Sequence, residues 1–443
     1  MGQHIRRTSE IRQAFFDFFE ARGHLRLPSA PLVPQNDPTV LFTPAGMNPF
    51  KDCFLGRQKP PAEAVVSCQK CLRANDIDKV GIDMYKHTFF EMLGNFSFGK
   101  YSKRDAIAWA WQFLTDSYWL GLNPSRISVS VYRDDTETYD IWHDVIGLPA
   151  DRITPGDASE NFWPPDTPER GPDGLCGPCT EIFYEYLGRQ VEIWNLVFTQ
   201  YNRVGDPPDN LRPIPSMNID TGMGLERIAA IMQGVPSVFE TDVFHRIINS
   251  YKLKRPLTCA AQPAVTYLCR IADHIRACVF ITHEGLKPGP KKAKYVLKQL
   301  LRRAVMAGFG LGEREPFLHL LIQPVTEAMI DFYPELRETA SQSEHIIFKA
   351  EQDFFGVLRK GEERVNALIA SLSGARIGEI PGAVAFDLFQ THGFPIALVE
   401  LLAADHGMTV DHSGFTAACV CHAQRSGSDP TGPRTGLGLD AGQ

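Results

Sequence analysis

The sequence predicts an α+β fold, in which a mostly antiparallel sheet flanked by helices precedes a helical region. Up to about residue 240, short strand-like segments dominate, and the helices between them do not follow the βαβ rhythm of a parallel sheet. Beyond that point, helical periodicity takes over. We therefore predict a catalytic sheet domain at 1–240, a helical domain at 241–425 and a disordered tail at 426–443, which is rich in Gly and Pro.

The individual elements follow from their apolar spacing and their boundaries. Thr8 or Ser9 caps a first helix that runs to Arg22, and the prolines of 28–56 exclude a long helix there. Strands are predicted at 64–72, 86–93, 127–133, 180–186, 191–198 and 214–220. Helices are predicted at 104–116, 136–145, 241–251, 267–282, 293–307, 316–332 and about 341–370, with two short ones in 383–404.

The composition is that of a globular protein of ordinary charge. The net charge is −7, so the chain as a whole does not indicate a nucleic-acid binder, although local basic patches still can. The N-terminus has no apolar signal core, and no stretch approaches the ~18 apolar residues of a membrane helix. The ten cysteines are spread widely, which favours reduced thiols and a cytoplasmic location.

Two Cys-x-x-Cys pairs, Cys68/Cys71 and Cys176/Cys179, raise the alternative of a zinc or redox protein. Between the inner cysteines lie 104 residues, against about 15–20 in a compact zinc module. The second pair spells Cys-Gly-Pro-Cys, but strand residues follow it where a thioredoxin has a helix. We expect a tight Gly-Pro turn with buried thiols and no structural zinc, which a metal and thiol assay tests.

The segment 216–234, SMNIDTGMGLERIAAIMQG, indicates a ligand that approaches the backbone closely. Gly222 and Gly224 come just before a helix that has Arg227 in its first turn, and Asp220 lies alongside. Glycines leave the backbone bare of side chains. A lone Gly-x-Gly is weak evidence, so the segment needs companions elsewhere in the chain.

Four other predicted strands supply such companions. Arg73 ends one strand, and alternation in the next places Thr88, Phe90 and Met92 on one face and His87, Phe89 and Glu91 on the other. An aromatic ring and an acid beside an arginine are suited to a purine ring and its phosphates. Alternation also sets Asn195 beside Val197, and it aligns Glu181 with Glu185 as a carboxylate pair for Mg²⁺.

Taken together, these segments resemble the aminoacylation half of the alanyl-tRNA synthetases, a family of class II aminoacyl-tRNA synthetases. The resemblance covers about residues 8–425, in order. The similar strings are LVPQNDPTVLFTPAGMNPFKD (32–52), CLRAND with HTFFEMLGNFSFG (71–99), CGPCTEIFYE (176–185), EIWNLVFTQYNR (192–203), IDTGMGLERIAA (219–230), RIADHIRACVFI (270–281) and YVLKQLLRRAV (295–305).

The resemblance implies roles for the residues that match. Arg73 would contact the α-phosphate of ATP, Arg227 the γ-phosphate, and Asp220 the ammonium of alanine. Phe90 would stack under the adenine, and the ATP site would be completed by Glu91, Met92, Gly222 and Gly224. Val197 would wall a methyl-sized pocket together with Trp163, Asn195 and Met47. Such a pocket rejects serine poorly, by about 10²-fold.

The sequence departs from the family's pattern on the tRNA side. The loop after Arg73 is shorter than usual, and Pro290 and Gln390 stand where the family has an Asn and an Asp that read a G·U pair in the acceptor stem. Gln390 keeps a carbonyl that can accept a hydrogen bond from guanine, whereas Pro290 offers no polar side-chain atom. Conversely, Lys294, Lys298 and Arg302 fall at i, i+4 and i+8 of one helix, which favours phosphate binding, with a solvated helix face as the alternative.

We therefore predict an alanine–tRNA ligase that uses ATP and Mg²⁺, binds alanine and tRNA, and does not associate with a membrane. The first alternative is a paralogue that adenylates alanine but delivers it to a non-tRNA or non-standard acceptor, and the departures on the tRNA side favour it. The second is a catalytically idle sensor that retains the pocket. Family members usually continue into editing and dimerisation domains, so the sequence predicts either a fragment or a short protein, with measurable mischarging of serine.

Overall fold

The computed structural model describes residues 6–35, 37, 39–254 and 262–426. The chain divides into two compact units. The first contains the residues up to Ala74 and Met84–His245, and the second contains Asn75–Asp83 and the residues from Arg246 onwards. The sequence prediction assigned Asn75–Asp83 to the sheet domain, and the predicted tail lies outside the described residues from 427 onwards.

The first unit is built on a nine-stranded, mostly antiparallel sheet, as the sequence predicted. The strand order is β1-β2-β3-β9-β8-β7-β4-β5, with β6 paired to β7, and only β1–β2 and β4–β5 are parallel in the part that is described. The strands are β1 (Leu25–Arg26), β2 (Ala64–Leu72), β3 (Phe89–Ser97), β4 (Ile127–Tyr132), β5 (Ile153–Gly156), β6 (Phe162–Trp163), β7 (Gly174–Tyr186), β8 (Arg189–Arg203) and β9 (Leu211–Gly224).

Helices flank this sheet and supply its core. They are α1 (Thr8–Glu20), α2 (Lys51–Phe54), α3 (Lys103–Thr115), α4 (Thr136–Asp140), α5 (Ala158–Asn161) and α6 (Leu225–Gln233), and α7 (Asp242–Lys254) follows them. Helix α1 buries its aromatic stripe, so that Phe15 lies 5.7 Å from the ring of Trp194 in β8 and 5.5 Å from Phe113 in α3. Trp194 points away from its neighbour Asn195, as strand alternation requires, so the core occupies one face of β8.

The second unit is helical. Its helices are α8 (Gln262–His283), α9 (Lys292–Gly310), α10 (Ile322–Met329), α11 (Leu336–Gly374), α12 (Gly382–Gln390), α13 (Ile396–Ala404) and α14 (His412–Ser426), with a short parallel pair β10 (Glu379–Ile380) and β11 (Thr409–Val410). Two contacts fix Asn75–Asp83 within this unit: Arg303 forms an ion pair with Asp78 at 2.5 Å, and Arg270 donates to the carbonyl of Val80 at 3.1 Å.

Several predicted boundaries were wrong for identifiable reasons. The predicted helix 316–332 is broken, because residues 318–321 form a 3₁₀ turn before α10 begins. The predicted strand 86–93 starts only at Phe89 and continues to Ser97. In the described part of the chain, no helix combines the length and the apolarity that crossing a bilayer requires.

The Cys-Gly-Pro-Cys segment was predicted as a turn and is instead part of β7. It lies opposite β8 with a register irregularity between Cys176 and Cys179. A side chain at Gly177 is excluded, because its Cβ would lie 2.0 Å from the carbonyl oxygen of Phe198. The close approach of β8 therefore explains the glycine, and the thiols of Cys176 and Cys179 are buried as predicted.

Candidate active site

One face of the central strands gathers most of the predicted site residues. In the register of the sheet, Met92 lies opposite Gly224, and Gly222 lies opposite Asn195, which in turn lies opposite Glu181. Residues directly opposite one another in antiparallel strands share a face. The shared face carries Phe90 and Met92 of β3, Asp220, Gly222 and Gly224 of β9, Asn195 and Val197 of β8, and Glu181 of β7.

Two arginines lie at one end of this face. Arg73, just after β2, donates through Nε to the carbonyl of Pro44 at 3.1 Å, and its guanidinium lies 5.0 Å from the centroid of the Phe90 ring. Arg227, in the first turn of α6, donates through Nη1 to the carbonyl and the carboxylate of Glu192 at 3.0 and 2.8 Å. The pairing of Arg73 with Phe90 matches what a nucleotide requires, a flat platform beside a cation.

Sequence reasoning missed two charged residues of this cluster, Glu192 and Lys86. Glu192 is the ion-pair partner of Arg227, and the charge and hydrogen bond of that arginine lower the pKa of the Glu192 carboxyl although burial raises it. The half-buried Lys86 also acts on this group, because its charge contributes to the lower pKa of Glu192. Alternation along 86–90 would have placed Lys86 on the face of Phe90.

The predicted carboxylate pair for Mg²⁺, Glu181 and Glu185, is separated. The two residues lie four positions apart on β7, about 13 Å along a strand, and Glu185 is exposed at the hairpin end opposite Gln190. Glu192 takes the place of Glu185 beside Glu181. The pKa of Glu181 rises to about 8 because of burial and, next, the negative charge of Glu192.

Asp220 is a buried carboxyl group on the floor of this face. Its side chain is only 6% exposed, and burial alone raises its pKa to about 7. None of the residues that the structure describes donates a hydrogen bond to this carboxylate. A buried carboxylate is stable only when a charge or donor compensates it, so this position favours a cationic ligand group.

Apolar residues lie opposite and near Asp220 in the sheet, because its partner in β3 is Phe96 of a buried apolar cluster. Val197 lies directly opposite Asp220 in the sheet, and Met47 is buried in an apolar cluster that Trp163 and Met92 border. Pairing of β6 with Gly177 and Pro178 of β7 brings Trp163 to this place. Asn195 donates to Glu181 at 3.1 Å, while its Oδ1 is buried and lacks a partner within the described chain.

Two predictions about the nucleotide site need correction. Gly222 does not leave bare backbone, because a Cβ there would lie 2.7 Å from Sδ of Met92, which covers it. At Gly224 the nearest side-chain atoms of Arg227 are 3.6 Å away, an ordinary contact. Glu91 is not brought to this face: it is fully buried on the opposite face, where its carboxylate accepts hydrogen bonds from Arg12 at 2.8 and 2.9 Å.

The geometry also bears on the cysteine pairs. Cys68 and Cys71 stand three positions apart on β2, so they point to opposite faces, and Cys68 donates to Glu91 at 3.4 Å. Burial raises the pKa of Cys71 and, to about 11, that of Cys176. Across residues 6–254 and 262–426, apart from positions 36 and 38, no group of three or more His, Cys, Asp or Glu side chains is placed to hold a metal ion.

Two basic residues of α9, Lys298 and Arg302, line an open cavity of the second unit, and the predicted third, Lys294, does not border it. Lys294 is exposed, and the guanidinium of Arg302 stacks over Phe354 at 4.8 Å. A cavity of about 330 Å³ is bordered by Pro290, Lys298, Arg302 and Asp353. A second cavity of about 360 Å³ shares Asp353 and adds Lys360, Arg364 and His392, close in sequence to the exposed Gln390.

Known proteins are similar to this chain over most of its length. The model of a family described as tRNA synthetases class II (A) matches residues 10–434. The chain is 50% identical over 426 residues to an alanine–tRNA ligase of Rhodopirellula baltica, covering 95% of this chain and 45% of the relative. It is 45% identical over 444 residues to an alanine–tRNA ligase of Thermus thermophilus, covering 95% and 50%.

The chain spans about half the length of the curated relatives it matches. Among solved structures, a pyrrolysyl-tRNA synthetase from Desulfitobacterium hafniense aligns with a TM-score of 0.31 and 11% identity, covering 54% of this chain and 74% of the other.

Proposed function

The chain belongs to the class II tRNA synthetases, and on that premise we propose that it activates alanine with ATP and transfers the alanyl group to the 3′ end of alanine tRNA. The relatives that carry the name alanine–tRNA ligase are 45–50% identical over 95% of the chain. Since the chain covers only half of their length, the proposal that it has their activity depends on the candidate site as well as on the identity.

The observation that carries the proposal is Asp220. Its buried carboxylate, with no donor among the described residues, lies opposite Val197 and near the apolar cluster of Met47 and Trp163. An α-amino acid has one fixed cation, its ammonium, and alanine adds only a methyl group. Asp220 is suited to the ammonium and Val197 to the methyl group.

Activation then requires that the alanine carboxylate meets the α-phosphorus of ATP. A carboxylate oxygen attacks this phosphorus, the bond to the oxygen that bridges to the β-phosphate breaks, and pyrophosphate leaves with that electron pair. Arg73 would neutralise the charge that grows on the α-phosphate, while Phe90 beside it supports the adenine. Arg227 and Lys86 would hold the departing pyrophosphate. The protein needs no nucleophile of its own.

Mg²⁺ fits the two neighbouring carboxylates Glu181 and Glu192. Hard cations prefer carboxylate oxygens, and Mg²⁺ binds through one or two of them together with the phosphates of the substrate. The ion, when bound, would neutralise phosphate charge. Glu192 is held in its place by Arg227, and Glu181 by the amide of Asn195.

For the second step we propose that the helical unit binds the acceptor end of the tRNA. Lys298 and Arg302 border one cavity, and Lys360 and Arg364 border its neighbour, so that four cations lie along α9 and α11. A hydroxyl of the terminal ribose attacks the carbonyl of the adenylate, forms the ester and releases AMP. Phosphate contacts of this kind give affinity that falls with salt.

The test is alanine-dependent exchange of pyrophosphate into ATP, followed by transfer of labelled alanine to an alanine-tRNA transcript. We expect both reactions, and we expect a transcript with a G·U acceptor pair to be charged better than one with G·C. If folded protein catalyses the exchange but charges neither transcript, the remaining hypothesis is a paralogue that activates alanine and transfers it to another acceptor. No exchange with alanine would refute the proposal. The relatives give no support to an altered acceptor.

A further inference from the structure

The face of the sheet opposite the candidate site carries a buried network of charged groups. Arg12 of α1 donates to both carboxylate oxygens of Glu91, at 2.9 and 2.8 Å. The backbone N–H of Glu91 in turn donates to the carboxylate of Glu226, 3.2 Å from each oxygen. His87 Nε2 lies 3.5 Å from the same carboxylate, and the Glu226 side chain is 1% exposed.

Glu226 occupies the point where a strand pairing ends. The ladder between β3 and β9 ends at Met92 opposite Gly224, because β9 gives way to α6 there. The carboxylate of Glu226, two residues further along, accepts the amide of Glu91, the next residue of β3. The Glu226 side chain thus adds one hydrogen-bonded position beyond the end of the strand pairing, and it holds the first turn of α6 against β3.

We propose that Glu226 is a positioning residue for Arg227, through which it sets the affinity for the phosphates of ATP. The inference rests on the proposed function, in which Arg227 contacts the triphosphate. Arg227 directly follows Glu226, and its own partners are the carbonyl of Tyr85 and Glu192, which lies beside Glu181 of the site face. The hydrogen bond between the Glu226 carboxylate and the Glu91 amide, here called the anchor, therefore fixes the backbone of α6 on one face of the sheet. From this backbone the guanidinium of Arg227 reaches the other face.

The anchor is well suited to this role because it is buried and compensated. Glu226 accepts a backbone amide that would otherwise lose a hydrogen bond away from water, and its neighbours are His87 and the Arg12–Glu91 pair. Without the carboxylate, the first turn of α6 is free to shift relative to β3. A misplacement of about 1 Å at a binding group costs up to about 10²-fold in an enzyme reaction.

The decisive experiment is a double-mutant cycle on ATP binding. Kd for ATP, and KM for ATP and alanine in the exchange reaction, are measured for the wild type, Glu226→Ala, Glu226→Gln, Arg227→Ala and the Glu226→Ala/Arg227→Ala pair. We expect Glu226→Ala to weaken ATP binding about tenfold or more and to leave KM for alanine within about twofold. Glu226→Gln keeps an oxygen for the Glu91 amide and should recover most of the affinity.

The cycle separates positioning from general stability. If Glu226 acts through Arg227, Glu226→Ala has no further effect on ATP affinity once Arg227 is Ala. Independent, additive losses would overturn the inference, as would equal increases in KM for ATP and alanine. Glu20→Gln, a change at an exposed acid of α1, is the matched control and should behave as wild type.

Two further measurements keep the result interpretable. Thermal unfolding shows whether Glu226→Ala folds. If it does not, Glu226→Asp, which keeps the charge but is one methylene too short to reach the amide, takes its place in the cycle with the same expected outcome. Wild-type protein that binds ATP but shows no exchange with alanine would count against the proposed function alone, because the ATP-binding cycle remains valid.

Discussion

Replacement of Asp220 by Asn tests the proposed amino-acid site with the least change in shape. Asn has the same size as Asp but carries no negative charge, and it keeps one carbonyl oxygen as an acceptor. Asp220 is almost fully buried opposite Val197, so the substitution leaves the packing of β9 against β8 intact. The ammonium of alanine would then lose its counter-ion and retain at most a neutral hydrogen bond.

The size of the effect follows from the burial of the carboxylate. Truncating one partner of a buried, hydrogen-bonded charge pair costs about 2–5 kcal/mol, and each 1.4 kcal/mol is a factor of ten. A central value of about 3 kcal/mol lowers kcat/KM for alanine by about 150-fold. Binding of ATP should be unchanged, because the groups proposed to hold its phosphates, Arg73 and Arg227, are other side chains.

The pH dependence provides a second signature of the same residue. Burial raises the pKa of Asp220 to about 7, so the carboxyl is partly protonated at neutral pH in the free protein. Only the ionised form attracts an ammonium group. We therefore expect kcat/KM for alanine to fall about tenfold per pH unit below pH 7 in the wild type, because kcat/KM reports the pKa of the free enzyme.

Alanine-dependent ATP–pyrophosphate exchange between pH 5.5 and 8.5 measures both effects, with the affinity for ATP followed in parallel. Asp209→Asn, a change in an exposed loop, serves as the control. In the Asp220→Asn protein the dependence near pH 7 should disappear. If this protein instead activates alanine with wild-type kcat/KM, or retains the fall below pH 7, the assignment of Asp220 to the ammonium is refuted.

Four further outcomes are expected. Arg227→Ala should raise KM for ATP by about 10–100-fold in the exchange assay while KM for alanine stays constant. Joint replacement of Lys298 and Arg302 by Ala should lower kcat/KM for charging about tenfold and reduce its salt dependence, with exchange unaffected; an equal loss of exchange would assign these residues to stability. Exchange assays with serine should show discrimination of only about 10²-fold, since the pocket excludes by size. The melting temperature should rise from pH 8 to pH 6.5. Burial raises the pKa of Glu351 to about 7, above the model-peptide value, so the folded state binds its proton more tightly and the stability lost at high pH returns as the pH falls.

Much of the sheet could be predicted because its strands are long and regular. Residues 64–72 were predicted and observed with identical limits, and the alternation that separated Phe90 from Glu91 holds in the structure. The Cys-Gly-Pro-Cys segment was wrongly predicted as a turn because Gly and Pro are typical of turns. Here the glycine is needed because β8 approaches too closely for a side chain at that position. Local propensity carries no information about a neighbouring strand about 20 residues further along the chain.

Within the candidate site, the residues that share a face of one strand were easier to predict than the neighbours that two strands bring together. Glu181 and Glu185 were paired by alternation, but the carboxylate that meets Glu181 is Glu192, which comes from β8 after a register shift. Such a shift depends on backbone geometry that periodicity does not encode. Lys86, by contrast, was accessible to alternation, because it precedes Phe90 by four residues.

Under the proposed function, one face must accept both a triphosphate and an amino acid, and the charges of the site are suited to this. Three cations, Arg73, Arg227 and Lys86, accompany three acids. Yet burial raises the pKa of Glu181 to about 8 and that of Asp220 to about 7, so at neutral pH only Glu192 remains fully ionised. These six groups together therefore carry a net positive charge, which suits the proposed polyanionic ligand. Asp220 regains its charge when an ammonium group arrives, because a nearby cation lowers the pKa of a carboxyl. On the proposed function, desolvation of Asp220 would thus let the site favour the triphosphate while it keeps a carboxylate available for the amino acid.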